Sequence, residues 1–137
     1  MAQSASDKSS VKTAPRPTDA ELAILRVLWE RGPSTVREVH DDLSSSQDTG
    51  YTTVLKLLQI MTDKGLVRRD ESARAHVYPA RSPEETTQKQ LVRDLVDRAF
   101  GGSASQLVLH ALSTRKSSKE ELSQIRELLA RLEGGKR

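Results

Sequence analysis

The chain has 137 residues, which suits one domain or one small domain with an appendage. Its net charge is only +3, so charge alone does not establish nucleic-acid binding. The absence of cysteine excludes disulfides, thiolate nucleophiles and cysteine-based metal sites. No apolar run approaches the roughly 18–20 residues that span a bilayer. The first residues also lack the apolar stretch of a signal peptide, and we expect a cytoplasmic protein without membrane insertion.

The first 17 residues are rich in serine and contain almost no large apolar side chain. Such a segment cannot bury enough surface to become ordered. We therefore predict a disordered basic arm at residues 1–17, more plausible as a solvated leader than as a phosphate contact.

Two capping boxes mark the first two predicted helices. Thr18 with Glu21 opens the first helix, and the Gly-Pro pair at 32–33 ends it. Thr35 with Glu38 opens the second, which a serine-rich run ends.

A third helix is predicted from about residue 49 to Lys64, because its apolar residues recur on one stripe. This stripe consists of Val54, Leu57, Leu58 and Met61. Residues 66–70 and 74–79 are richer in β-branched and aromatic side chains and flank a polar turn at 71–73. This pattern predicts a β-hairpin.

Three short helices and a hairpin are typical of a winged helix-turn-helix domain, in which the third helix enters the major groove of DNA. Three further helices are predicted after this domain, so the protein is mostly α. We assign residues 18–81 to a winged-helix DNA-binding domain with a hairpin wing. Residues 82–137 are assigned to a helical dimerisation domain.

The polar side of the third helix and the basic residues of the hairpin form the expected DNA-binding edge. Hydroxyls, amides and cations suit base edges and phosphates. These residues are Thr49, Thr52, Thr53, Lys56, Gln59, Arg68 and Arg74. Lys64 and Arg69 are expected to add charge to the same edge. Residues 18–81 hold nine basic and ten acidic residues, so we expect few phosphate contacts per subunit.

Few contacts per subunit favour a dimer, which in turn implies a twofold DNA site. The last third of the chain presents more apolar surface than about 55 residues can bury among themselves. The last helix also has the spacing of a short heptad seam. The expected dimer contacts are Leu91, Leu95, Val96, Phe100, Leu107, Leu122, Ile125, Leu129 and Leu132. The alternative, in which these helices fold back on the winged domain, is less favoured.

Five segments carry a more specific pattern. They are T-D-A-E-L-A-I-L-R-V-L-W at 18–29, T-V-R-E-V-H-D-D-L at 35–43, Y-T-T-V-L-K-L-L at 51–58, K-G-L-V at 64–67 and R-A-H-V-Y-P-A at 74–80. Together they resemble the BlaI/MecI/CopY family of bacterial penicillinase-type repressors. The resemblance continues more weakly through the C-terminal helices.

The resemblance implies a cytoplasmic homodimeric repressor of palindromic operators with TACA/TGTA-type half-sites. It also implies control of β-lactamase, antibiotic-response or related genes. Its DNA contacts would lie at the start of the third helix and on the wing. The matching residues are Tyr51, Thr52, Thr53, Lys56, Arg74 and His76.

The chain departs from the family pattern in two respects. Ile60 stands where the family commonly has an arginine in the recognition helix, and no cysteine is present for the motif of the copper-sensing branch. In the penicillinase branch, a membrane zinc metalloprotease sensor cuts the repressor at an Asn-Phe bond. The matching bond here is His110-Ala111. The resemblance thus implies release of DNA by proteolysis in the dimerisation region.

No catalytic or metal-binding motif competes with this interpretation. The three histidines, His40, His76 and His110, do not have ligand spacing, and we expect no enzyme, no metal site and no cofactor. Two alternatives to an operator-binding repressor remain open. One is a one-component winged-helix regulator that senses a small ligand directly, and the other is a winged-helix adaptor that binds protein.

Overall fold

The computed structural model describes residues 16–134, so most of the predicted arm lies outside the described residues. The chain forms two compact units, the first ending at Leu91 and the second beginning at Val92. This division falls inside a helix, and the domain boundary at residue 81 stays a prediction.

Four helices begin in the first unit, and the fourth continues into the second unit. They are α1 (Asp19–Arg31), α2 (Val36–Ser44), α3 (Tyr51–Lys64) and α4 (Glu84–Ala99). Both predicted capping boxes are confirmed. Thr18 Oγ1 accepts from the Glu21 amide at 3.2 Å, and Thr35 Oγ1 accepts from the Glu38 amide at 3.1 Å. These boxes satisfy amides that a helix start leaves without a backbone partner.

The core of the first unit is aliphatic and is built from α1, α2 and α3. It also receives Val67 and Tyr78 from the segment after α3. Val54, Leu58 and Met61 of α3 are fully buried in this core, whereas Leu57 is only partly buried. α3 ends at Gly65, whose φ of 83° is the left-handed conformation that glycine adopts at little cost.

The predicted hairpin is present as antiparallel pairing between residues 66–70 and 77–81, and residues 66–81 are called the wing below. Asp70 and Val77 exchange two backbone hydrogen bonds of 2.8 and 3.0 Å. Pro79 accepts from the Arg68 amide but has no N–H to return, which interrupts the ladder. The connecting loop covers 71–76 and is longer than the predicted turn at 71–73.

A third piece of chain joins the wing to the helices. Ser34, between α1 and α2, pairs with Tyr78, whose amide donates to the Ser34 carbonyl at 2.8 Å. Trp29 makes a further tie, because its Nε1 donates to the Ser82 carbonyl at 3.0 Å. The wing is therefore attached to α1 and to the α1–α2 connection.

The second unit contains the end of α4 and two further helices, α5 (Ala104–Thr114) and α6 (Lys119–Gly134). Neither α5 nor α6 has a buried residue. Three helices and a wing followed by further helices confirm the predicted mostly α, winged helix-turn-helix fold class.

A charged pair connects the end of α3 to the start of α1. Lys64 Nζ donates to Glu21 Oε1 at 2.6 Å, and only 3% of the Glu21 side chain is exposed. Burial raises the pKa of the Glu21 carboxyl, but the Lys64 ammonium and the hydrogen bonds from Thr18 outweigh it, so the pKa lies below its usual value. The folded state therefore favours the ionised carboxylate.

Glu21→Gln keeps the acceptor for Thr18 but removes the charge that faces Lys64, so we expect a loss of about 2 kcal/mol of stability at pH 7. The stabilisation is complete above the pKa of the unfolded carboxyl, about 4.3, and disappears as pH falls through the lower folded value. Urea unfolding at a fixed protein concentration, at pH 7 and pH 3, measures both effects.

Glu38→Gln is the matched control. It makes the same change in the other capping box, where the carboxylate is exposed and faces Arg31 at 3.8 Å. We expect it to cost less than about 1 kcal/mol. Equal losses for the two variants at pH 7 would contradict a special role for the buried pair.

Candidate nucleic-acid interface

One edge of α3 is polar and exposed, and it lies opposite the stripe that packs into the core. Thr49, in the turn before α3, is half-buried. The exposed residues among those predicted to contact DNA are Tyr51, Thr52, Thr53, Lys56 and Gln59. Thr52, Thr53, Lys56 and Gln59 share the side of α3 that faces away from the buried stripe. Tyr51, in the first turn, is exposed on the side that faces α2. Ile60, which stands in place of the arginine common in the family, is 39% exposed.

The N-terminus of α3 differs from those of α1 and α2. Gly50 occupies its N-cap position, and no side chain caps the first turn. The carbonyl of Gly50 accepts from the Val54 amide at 3.1 Å. Uncapped amides and the positive end of the helix dipole favour an anion at this point. The start of α3 is therefore compatible with a nearby phosphate.

Tyr51, the first residue of α3, contacts two side chains of α2. The guanidinium carbon of Arg37 lies 5.0 Å from the centre of the Tyr51 ring, and the His40 ring meets it edge-on at 6.0 Å. His40 Nδ1 also lies 3.1 Å from Asp41, and its Nε2 lies 3.3 Å from the Ser44 hydroxyl. Sequence patterns did not link Arg37 to this edge, because its position in α2 is that of an ordinary solvated helix residue.

The wing presents its predicted cations to solvent. Arg68, Arg74 and His76 are exposed, and the last two lie in the loop rather than in the paired segment where the hairpin pattern placed them. Asp70 accepts from the Ser72 amide at 3.0 Å. That hydrogen bond lowers the pKa of Asp70, and it holds the start of the loop.

Two of the expected cations are engaged by carboxylates. Lys64 is bound to Glu21, as described above. Arg69 Nε donates to Glu71 Oε2 at 2.8 Å, and contacts with Tyr78 and Glu71 raise the pKa of Arg69. Among residues 16–134, Lys56, Arg68 and Arg74 form no ion pair. They are the cations of the predicted edge that remain fully available to a phosphate.

The residues predicted to form the dimer contact are mostly accessible in the single chain. Leu91, Phe100, Leu107 and Ile125 are half-buried, and Val96 is buried at 9% exposure. The exposed members of this set are Leu95, Leu122, Leu129 and Leu132. Further large apolar side chains, which the prediction did not include, are also exposed, namely Val92, Val108, Leu109, Leu112 and Leu128. His110 and Ala111 are exposed within α5.

Two other kinds of site were sought in the described part of the chain. Within residues 16–134, no group of three histidine, aspartate or glutamate side chains could hold a metal ion. No helix there is both long and apolar enough to cross a membrane.

Comparison with known proteins gives consistent matches. The penicillinase repressor family model matches residues 17–131. The transcriptional regulator BlaI of Mycobacterium tuberculosis is 35% identical over 119 residues, which cover 85% of each chain. The penicillinase repressor of Bacillus licheniformis is 24% identical over 87% of this chain and 93% of its own length.

A solved structure also matches the first part of the chain. It is the solution structure of monomeric Bacillus licheniformis BlaI in complex with the blaP half-operator. The two sequences are 26% identical in the aligned region, which covers 53% of this chain and 89% of the chain in that structure. The TM-score is 0.48.

The family comprises DNA-binding transcriptional repressors and not enzymes, which confirms both the predicted resemblance and the predicted lack of enzymatic function. It also favours a repressor over an adaptor that binds only protein. Since the family model spans most of the sequence, the chain belongs to the penicillinase repressor family of DNA-binding transcriptional repressors.

Proposed function

We propose that two copies of this chain bind one palindromic operator with TACA/TGTA-type half-sites, each placing α3 in the major groove. The observation that carries the proposal is the exposed polar edge of α3 opposite its buried stripe. A helix with one packed face and one polar accessible face can enter a major groove without unfolding.

Each side chain of the edge has a chemical role in this proposal. The hydroxyls of Thr52 and Thr53 can donate to or accept from base edges and phosphates. The Gln59 amide can pair with an adenine in bidentate fashion, and adenines occur in the proposed half-sites. Lys56 supplies a point charge for a backbone phosphate on the same helix.

The wing would extend the contact beyond the base pairs that α3 reads. Arg68, Arg74 and His76 are exposed there, and Thr49 and Tyr51 flank the start of α3. Arginine donors suit phosphate oxygens, so we assign Arg74 to the DNA backbone beside each half-site. The relatives support the assignment of function, since one is named as a penicillinase repressor and another as a transcriptional regulator.

Lys56→Gln should weaken operator binding about tenfold, as expected for the loss of one charged contact in each subunit, and should leave the oligomeric state unchanged. Electrophoretic mobility shifts on an inverted-repeat duplex, beside a scrambled duplex of equal length, measure the loss.

The matched control is Lys89→Gln, which removes an equal charge from α4, where Lys89 pairs with Glu85 at 3.2 Å. We expect this control to bind like the wild type. Unchanged affinity in the Lys56 variant would remove Lys56 from the interface, and equal binding of both duplexes by the wild type would overturn the operator proposal.

We also propose that the second unit holds the two copies together. Leu109, Leu129 and Leu132 are each more than half exposed, and α5 and α6 bury no residue in the single chain. Large exposed apolar side chains in this number favour a protein interface, since exposing them to water is unfavourable. Joining two DNA-binding units also raises affinity, because the second half-site is bound at a high effective concentration.

Ile125→Asp should yield monomers that bind the inverted repeat weakly. Ile125 is the only half-buried residue of α6, and a charge there would have to be desolvated at the seam. Sedimentation velocity measures the oligomeric state. Ser123→Asp is the control, because it places the same charge on α6 at an exposed polar position, and it should remain dimeric. A dimer in the Ile125 variant would contradict the seam.

We further propose that a membrane zinc metalloprotease sensor releases the repressor by cutting His110-Ala111. Proteases bind their substrates as extended chain, so α5 must open locally before the bond can be cut. Opening is inexpensive in the single chain because no side chain of α5 is fully buried there, so we expect the cut to occur when the dimer contact of α5 is released. The cut would separate α6 from α4 and weaken the dimer, which would release β-lactamase or related antibiotic-response genes.

Exposure of the host cells to a β-lactam should convert the repressor into a shorter fragment that ends at His110. Immunoblotting detects the shortening, and mass spectrometry of the purified fragment locates its last residue. Cells left without the drug provide the control. An intact chain in cells whose target genes are switched on would contradict release by proteolysis.

A further inference from the structure

Arg37 is the one basic residue of α2, and its side chain reaches the start of α3. Its guanidinium carbon lies 5.0 Å from the centre of the Tyr51 ring. Tyr51 is 41% exposed and Arg37 is exposed, so the pair lies at the surface beside the polar edge of α3. The edge-on contact of His40 at 6.0 Å fixes the same ring from a second direction.

Arg37 contacts an aromatic ring, whereas several other basic residues of the first unit form ion pairs with carboxylates. Arg31, Lys64 and Arg69 face the carboxylates of Glu38, Glu21 and Glu71, respectively. In the part of the chain that the structure describes, no carboxylate lies within ion-pair distance of Arg37. An aromatic ring orients this cation without neutralising it.

The contact with Tyr51 leaves the N–H donors of Arg37 available. The ring attracts the cation as a whole, and within residues 16–134 none of its five N–H donors forms a hydrogen bond or an ion pair. These donors match the oxygens of a phosphate in bidentate geometry. The ring also restricts the arginine side chain before binding, which reduces the entropy lost when it meets DNA.

We propose that Arg37 binds a backbone phosphate next to each half-site and that Tyr51 positions its guanidinium for this contact. The inference rests on the proposed function, because it needs α3 to enter the major groove. It adds a phosphate contact from α2 to those expected from α3 and the wing. Such a contact would strengthen binding to any DNA sequence and would not discriminate between bases.

Arg37→Gln tests the contact through the salt dependence of binding. We expect affinity to fall about tenfold on both the inverted-repeat duplex and a scrambled duplex, so that their ratio stays constant. The slope of log K against log salt should shrink by about 2 for a dimer, since each lost phosphate contact removes roughly 0.9. Fluorescence anisotropy over a series of KCl concentrations gives both quantities.

The matched control is Arg26→Gln, which removes the same charge from an exposed position of α1. It should change neither affinity nor slope. If Arg26→Gln lowers the affinity and the salt slope as much as Arg37→Gln does, the effect reflects only the total charge of the protein, and the inference is wrong. If the wild type prefers the inverted repeat and Arg37→Gln leaves the salt slope unchanged, the inference fails while the proposed function stands. No preference in the wild type is instead a failure of the proposed function.

Tyr51 is tested by a double-variant cycle and by Arg37→Lys. Tyr51→Leu should weaken binding, and adding Arg37→Gln should then cost less than it does in the wild type, because the ring no longer positions the guanidinium. Arg37→Lys keeps the charge but loses the planar donors, so it should retain most of the slope with lower affinity. Full additivity in the cycle would overturn the positioning role of Tyr51. Circular dichroism melts that coincide with the wild type show that a variant is folded.

Discussion

Burial of one stripe of α3 is the constraint on which the proposed DNA-binding edge depends. Val54, Leu58 and Met61 have no exposed surface. Truncation of a large buried side chain such as Leu58 to alanine would cost about 2–5 kcal/mol of folding stability. Rotation of α3 about its axis is therefore strongly opposed. Because side chains on a helix have a fixed angular relation, this burial also fixes Thr53 and Lys56 on the accessible side.

Some cations of the first unit form ion pairs within the fold and are not free to contact DNA. Glu21 at the first turn of α1 engages Lys64 at the last turn of α3, and Glu71 engages Arg69 in the wing. Each pair removes a cation from the surface that DNA would meet. The remaining positive groups are few, which fits the proposed binding of two linked half-sites better than binding through one highly charged surface.

The two units differ in what their helices bury. α1, α2 and α3 enclose an aliphatic core, so the DNA-binding edge stands on a stable support. α5 and α6 have no fully buried residue in the single chain, although Leu109 and Leu132 are large apolar side chains. The proposed association of two copies would stabilise this unit, and the proposed cut within it would affect the dimer before it affected the first unit.

Local signals in the sequence determined the first two helix starts, the buried stripe of α3, the presence of a hairpin and the family, because capping and periodicity act between residues close in the chain. The second paired segment of the wing lies at 77–81 and not at the predicted 74–79. Only the tertiary structure decided which partner each cation has. Lys64 meets Glu21, Arg37 meets Tyr51, and Ser34 pairs with the wing, through contacts between elements. Spacing along the chain does not encode such contacts, since they arise only when packed helices bring distant side chains together.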